Sequence, residues 1–366
     1  EDVSRNLLAN GGRIIHSFGV TSAYIADADA PVDVTHLAFL DRYILANSKY
    51  TRGKVAFCNV NDYSSWNAID FFTAESHPDM IQAILATWRE VVIVGTDSID
   101  IYYDDGTTPF ARLDGAYTED GTIARYSVLA ADNTIFYLNK DKRVIRLEGR
   151  TPKVVSMQVD KLIQSFDKVD DANADVIQIA GRNFYVLTFP TEQVTLVYDY
   201  VINQWYQWAY WNATEAEYDA VLINCHCYIP KLNKHLVGSR IDGKIYEMSD
   251  KVYKDGSDDI RFMRRTGHIS GGVFQGKRSN LIQFKIKRGN PNQGSTPPYM
   301  MVRFRDNNST WSQEHWLSLG LIGDTYGIAE MRRNGIYKTR QIEMVYTENT
   351  PFVLAEIEED ADIMTR

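Results

Sequence analysis

The chain has 366 residues, 44% of them hydrophobic and 12% aromatic, with a formal net charge of −9. That length and apolar share support a sizeable core and exclude a disordered chain, and apolar runs such as Val91 to Val94 fall well short of the roughly 18 residues that span a bilayer, which excludes a membrane-spanning helix. The acidic balance excludes a general nucleic-acid binder, which needs basic surface to displace phosphate counterions, but not DNA that passes close by without sticking.

Three cysteines, Cys58, Cys225 and Cys227, make no disulfide framework and fit assembly in a reducing compartment. No secretory signal is visible, and Glu1 in place of a Met points to a start other than the gene's own. Residues 1–36 read as an N-terminal segment whose strand, Ile14 to Tyr24, closes a blade. From 37 to 255 one unit recurs: an apolar strand, a tight turn, a β-branched strand, then an aromatic or charged edge. It appears at Leu40 to Cys58, Ile81 to Tyr103, Tyr126 to Leu147, Val176 to Trp208 and Ala220 to Met248. The strand centres near Ile44, Val92, Ile135, Tyr185 and Leu236 are 48, 43, 50 and 51 residues apart, close to the roughly 40 to 50 residues of a propeller blade.

Two segments in this span need separate treatment. Ile81, Ile84, Leu85 and Trp88 have helical spacing, but the repeat favours two strands with a turn over Thr87 to Glu90. Asp160 to Asp175 is polar, with Leu162, Ile163 and Phe166 spaced for a short helix. The most regular unit is Gly181 to Trp208, where Phe184, Val186 and Thr188 alternate with Tyr185, Leu187 and Phe189. Pro190 stops that strand because it has no N–H for the ladder. After about Asp255 the pattern changes to long alternating strands: Ile260 to Ile269, Asn280 to Arg288, Tyr299 to Arg305, Trp311 to Leu319 and Thr339 to Glu348, with a loop at Gly289 to Pro298. The expected fold is therefore all-β: a β-propeller of about six blades over 37–255, with a C-terminal antiparallel sheet or sandwich over 256–366 that closes or decorates it.

The chain lacks the motifs of common catalytic sites. There is no HExxH, GxSxG or P-loop, and Gly271-Gly272 with Gly276 does not lead a strand into a helix as a phosphate cradle must. Cys225-His226-Cys227 is the best metal candidate. A strand, however, puts the two thiols on one face and the imidazole on the other, so these read as buried structural cysteines. Asp100, Asp104 and Asp105 before Gly106 read as a turn rather than a calcium loop, and Asp167 to Asp175 as a solvated loop. No pair of acids is singled out for glycoside hydrolysis, and no catalytic, cofactor-binding or metal residue is assigned. The densest aromatic cluster is Trp205, Tyr206, Trp208, Tyr210 and Trp211. Its first reading is packing between blades; its second is that the alternate face, Tyr206, Trp208 and Tyr210, is a subunit interface, since aromatics are enriched in interface cores. Trp311 and Trp316 allow the same two readings.

Several phrases in order resemble a known family. They are Ser65-Trp-Asn-Ala-Ile-Asp-Phe-Phe-Thr-Ala-Glu75, His77-Pro-Asp79, Val94-Gly95 through Ile101-Tyr102, and Pro109-Phe110 with Gly115. Glu119-Asp-Gly-Thr-Ile-Ala-Arg-Tyr-Ser127, Asp132-Asn-Thr-Ile-Phe-Tyr137 and the run Phe184 to Trp205 follow. Across Leu40 to Trp211 the chain resembles the packaged-DNA-stabilisation or tail nozzle proteins of short-tailed bacteriophages, and more loosely beyond, through Trp311-Ser312, Leu319-Gly320 and Gly323. The resemblance implies a structural virion protein without an active site or cofactor. It implies a homohexameric ring below the portal-adaptor proteins that binds a tail fibre, spike or needle and lets packaged DNA pass its lumen. It implies a place in the virion tail after assembly in the host cytoplasm. The acidic balance suits such a lumen, because like charge keeps DNA from sticking. The rival readings are a propeller glycoside hydrolase and a carbohydrate- or receptor-binding tail protein.

Overall fold

A computed structural model describes residues 6–18, 20–74, 79–87, 89–104, 106, 110–287, 296–321 and 328–364. Glu75, His77, Trp88, Asp105, Pro109, residues 289–295 of the expected loop and Gly323 lie outside the described residues. The chain divides into two compact units, Glu1–Ala209 and Tyr210–Arg366.

In the first unit the strands form consecutive antiparallel meanders. A three-stranded sheet, Asn6–Leu8, Ile15–Phe18 and Thr21–Tyr24, precedes a four-stranded one running from Leu37–Leu40 through Tyr43–Asn47 and Lys54–Asn59 to Asp62–Thr73. The next runs from Ile81–Thr87 through Glu90–Gly95 and Ile99–Tyr103 to Ala111–Thr118, and the next from Leu129–Ala131 through Thr134–Leu138 and Val144–Glu148 to Thr151–Val154. Asn173–Ile179, Arg182–Phe189, Val194–Asp199 and Gln204–Asn212 make the last. Several hairpins turn on two residues of positive φ, such as Asp41-Arg42, Asp132-Asn133 and Ala180-Gly181, a conformation whose twist matches that of paired strands. Strands Ile81–Thr87 and Glu90–Gly95 form the expected hairpin, closed by the Thr87 and Glu90 pair. The short helix is Asp160–Gln164, and Ile163 and Phe166 are buried.

How the sheets stack follows from strand alternation. Within Thr134–Leu138, Ile135 and Tyr137 join a core with Val92, Val94, Ile99 and Ile101 of the preceding sheet. Their neighbours Phe136 and Leu138 join another with Tyr185, Leu187, Leu196 and Tyr198 of the following sheet. The same occurs upstream, where Leu45 and Val55 meet Ile84, Val91 and Ile93. Successive sheets thus pack face to face, each interface with its own core, and a central strand is buried on both sides. That is why Phe184 to Phe189 is buried at every position rather than at alternate ones. Each large apolar side chain buried this way contributes about 1.5–3 kcal/mol.

The second unit opens with the end of strand Gln204–Asn212, with which Glu217–Ala220 pairs. A three-stranded meander follows, Ile223–Ile229, Lys234–Ser239 and Ile245–Met248, and then a short hairpin, Lys254–Asp255 with Asp258–Asp259. The remainder is a sandwich. One sheet has the order Phe262–Arg265, Arg340–Tyr346, Tyr299–Asp306, His315–Ser318; the other centres on Lys277–Ile286, paired with Leu354–Ile363 on one edge and with Ala329–Arg332 and Ile336–Tyr337 on the other. Ile282, Phe284, Met300, Val302, Met331, Ile342 and Met344 fill the space between them.

Candidate functional site

The aromatic strand Gln204–Asn212 pairs with Val194–Asp199, with Trp205 opposite Tyr198, Tyr206 opposite Val197 and Trp208 opposite Thr195. Alternation sends Trp205 inward. Its ring stacks on Tyr198 at 5.0 Å, and its Nε1–H donates to the Val155 carbonyl at 2.8 Å. Trp208, on the other face, lies edge-on to Phe184 at 5.4 Å and is partly buried. Tyr206 is the exposed member of the three candidate interface residues, at 39%, and its hydroxyl reaches Gln204. Tyr210 donates to Asp258 at 2.8 Å, a bond that raises its phenol pKa above the ordinary range. The strand therefore does not bring the three together as one exposed patch: Trp208 and Tyr210 are engaged within the chain.

Trp211 belongs to a second packing group. The Arg261 guanidinium stands over its ring at 4.0 Å and over Tyr218 at 5.9 Å. Burial pushes the Tyr218 hydroxyl up despite that nearby cation.

The cysteine strand corrects one expectation. Cys225 and Cys227 share a face of Ile223–Ile229, as predicted, but both are exposed rather than buried; only Cys58 is buried. The physical reason is that this meander is thinly covered, with Val237 its buried hydrophobic residue. His226 points to the opposite face, where its Nε2 lies 2.9 Å from Nδ1 of His235 and the rings stack. Burial, then the neighbouring imidazole, lowers the His226 pKa. Among the described residues no group of three metal-ligating side chains converges. Asp104 accepts from the Gly106 amide at 2.8 Å, as a turn requires. Asp100 is buried and paired to Arg112 at 3.3 Å. Asp171, in the acidic loop, holds both the amide and the hydroxyl of Thr191.

Two of the resembling phrases meet in a tightly packed turn. The Asp79 carboxylate accepts from the amides of Asp97 and Ser98 at 2.9 and 3.1 Å. A Cβ at Gly95 would come 2.2 Å from that carboxylate, and a Cβ at Gly121 would come 2.4 Å from the Thr96 backbone. Trp66, buried at 4%, donates its Nε1–H to the Tyr63 carbonyl, and its amide donates to Asp27. These phrases encode packing, not a catalytic group.

Sequence reading missed the surface of the sandwich. On its first sheet Arg265 and Arg303 flank Glu343 across the strands, with ion pairs of 2.5 Å each. Arg265, Arg303 and Arg305 each stand 5.1 Å from the ring centre of Trp311, while Trp316 is 61% exposed. The arginines are scattered in sequence and come together only through strand register.

A family model described as Phage_stabilise, Bacteriophage P22 Gp10, beta-propeller, matches residues 7–253. No curated protein matches in sequence. Among solved structures, the extracellular domain of a one-component system from B. thetaiotaomicron is similar at TM-score 0.44 and 11% identity, over 90% of this chain and 47% of that one. The dihydro-heme d1 dehydrogenase NirN is similar at TM-score 0.40 and 10% identity, over 90% of this chain and 64% of that one. The chain thus spans about half to two thirds of the length of these two structures.

Proposed function

The chain belongs to the Phage_stabilise family, that of the bacteriophage P22 Gp10 β-propeller, and on that premise we propose that it forms the nozzle ring of a phage tail. It is a phage structural protein built on a propeller, a component of the virion that assembles with other virion proteins. In the proposed role, copies of the chain, six in the favoured arrangement, extend the DNA channel below the portal-adaptor, help retain the packaged genome and pass it on ejection. A fibre, spike or needle protein binds the distal end. The chain performs no catalysis.

The family match over residues 7–253 carries this reading. Large apolar side chains left exposed, among them Phe18, Phe39, Tyr50, Ile69, Ile245 and Phe274, offer surface that other subunits can cover. The net charge of −9 supports a lumen through which DNA slides. Electron-microscope class averages of the purified full chain test the reading. Closed rings with an open pore are expected, whereas a monomer at every concentration overturns it.

A further inference from the structure

The sandwich of the second unit carries opposite charge on its two outer faces. On the first sheet, register aligns Arg265, Glu343 and Arg303 in one cross-strand row and Arg305 with Gln341 in the next. Glu343 is nearly buried and serves two arginines at once. Arg305 has only the neutral amide oxygen of Gln341 as polar partner among the described residues. Three guanidiniums thus face one carboxylate, and their aromatic backing is Trp311. Beside this row runs an apolar ladder, Met263, Val345, Met301 and Trp316, ending in the exposed indole.

The outer face of the other sheet has the complementary pattern. Its edge strand Leu354–Ile363 alternates, so that Ile357 and Glu359 turn inward while Glu356, Glu358 and Asp360 are exposed. Lys285 pairs with Glu356 at 3.5 Å. Glu358 and Asp360 have no cation within ion-pair distance among the described residues.

We propose that the arginine–tryptophan face receives the acidic strand Leu354–Ile363 of a second copy of this chain. The occupant is argued from charge: the chain itself supplies a carboxylate row, on an exposed edge, to match an arginine row in which three guanidiniums share one carboxylate and Arg305 has none. Arginine suits this contact because its planar fork donates two N–H bonds to a carboxylate while stacking on an aromatic ring. The two rows lie on opposite faces of one sandwich, so each copy offers one and receives the other. Such a heterologous contact propagates around a ring instead of ending at a dimer. It rests on the ring reading in that the occupant is a second copy, and it places the contact beyond residue 253, where the family match ends.

Charge exchange in the full chain tests it, read by sedimentation velocity with thermal melts as the folding control. Arg305→Glu, and separately the pair Glu358→Lys with Asp360→Lys, are each expected to weaken assembly at least tenfold with unchanged melting. Mixing the two variants, or combining them in one chain, is expected to restore it, because the swapped rows again attract. Arg305→Gln guards against misfolding of the reversal and is expected to weaken assembly less, with a shallower salt dependence. If the parent assembles and Arg305→Glu assembles equally well, this contact is wrong while the ring reading stands. A parent that stays monomeric defeats both. Assembly lost but not recovered on mixing shows that the two rows do not meet. Intact assembly with lost retention of a DNA oligonucleotide would assign the row to nucleic acid and overturn the proposal.

Discussion

The two units handle buried polarity in different ways. In Glu1–Ala209 the buried charges are single carboxylates, each met by a partly exposed arginine (Asp100 by Arg112, Asp199 by Arg182), and small hydroxyls are answered locally: Ser127 donates to the Ala124 carbonyl, and Thr122 to that of Leu138. The residual polarity of the aromatic core is a phenol, Tyr185, whose hydroxyl reaches the Ser127 carbonyl. In Tyr210–Arg366 the sandwich buries a whole guanidinium. Arg340 is fully covered, gripped by Asp306 through Nε and Nη2 at 2.7 and 2.8 Å, by Glu359 at 3.1 Å and by the Asn334 carbonyl, between the rings of Phe304 and Tyr337. Asp306 lies on one sheet and Glu359 on the other, so the ion cluster bridges them. Stacked repeats are held by many equivalent apolar interfaces, whereas the sandwich adds specific ion clusters, Arg340 between its sheets and Glu343 on the first of them.

Arg340→Ala is the strongest way to break that contrast. It leaves two largely covered carboxylates without a cation, and losing one partner of a buried ion cluster costs up to about 3–5 kcal/mol. The expected result is a large drop in the melting temperature of the Tyr210–Arg366 unit, seen by calorimetry, with the other unit's transition unmoved. Arg340→Met with Asp306→Asn and Glu359→Gln in the same chain recovers much of the loss, since it removes the orphaned charges.

The same contrast explains what could be read from sequence. The propeller units were legible because each repeats an apolar central strand and a two-residue turn, such as Asp132-Asn133, and these are local signals. The helical spacing around Ile81 was resolved by the repeat, not by the segment itself. Strand Leu354–Ile363 was not legible: LAEIEEDADI looks like a solvated acidic tail. Glu359 occupies an inward position there because Arg340 and the Tyr337 hydroxyl, 19 and 22 residues away in sequence, donate to it. Cys225 and Cys227 were misjudged because their burial depends on a covering layer that no local pattern reveals. The aromatic strand showed its inward face in Trp205, but that Tyr210 would be bound to Asp258 rests on a contact 48 residues distant.

Within the first unit, His36 sharpens the picture of local satisfaction. Burial, followed by the charge of Arg125, lowers its pKa from 6.5 to about 4. The folded state therefore holds the ring neutral where the unfolded chain would protonate it. Stability is complete above about pH 6.5 and falls as pH drops toward about 4, by at most about 3 kcal/mol. Urea titrations at pH 7 and pH 5 should show the loss in the parent, and a much smaller one in His36→Gln. A backbone test comes next: Gly121→Ala forces a methyl against the Thr96 carbonyl, and overpacking of this kind costs about 1–3 kcal/mol. A melting temperature equal to the parent's would show that the turn can give way.

The smallest effect probes the phenol at the centre of the repeats. Tyr185 is fully buried, its ring stacks on Phe136 at 5.2 Å, and its hydroxyl donates to the Ser127 carbonyl at 2.6 Å. Burial pushes that hydroxyl's pKa far up, which keeps it a neutral donor. Tyr185→Phe keeps the stacking and the packed volume while removing one hydrogen bond to the loop that leads into the neighbouring sheet. If each interface between sheets is carried by apolar contact, the cost is that of one bond, about 0.5–1.5 kcal/mol. A loss of several kcal/mol would mean that this bond fixes one sheet against the next. The first unit would then depend on a specific polar centre just as the sandwich does.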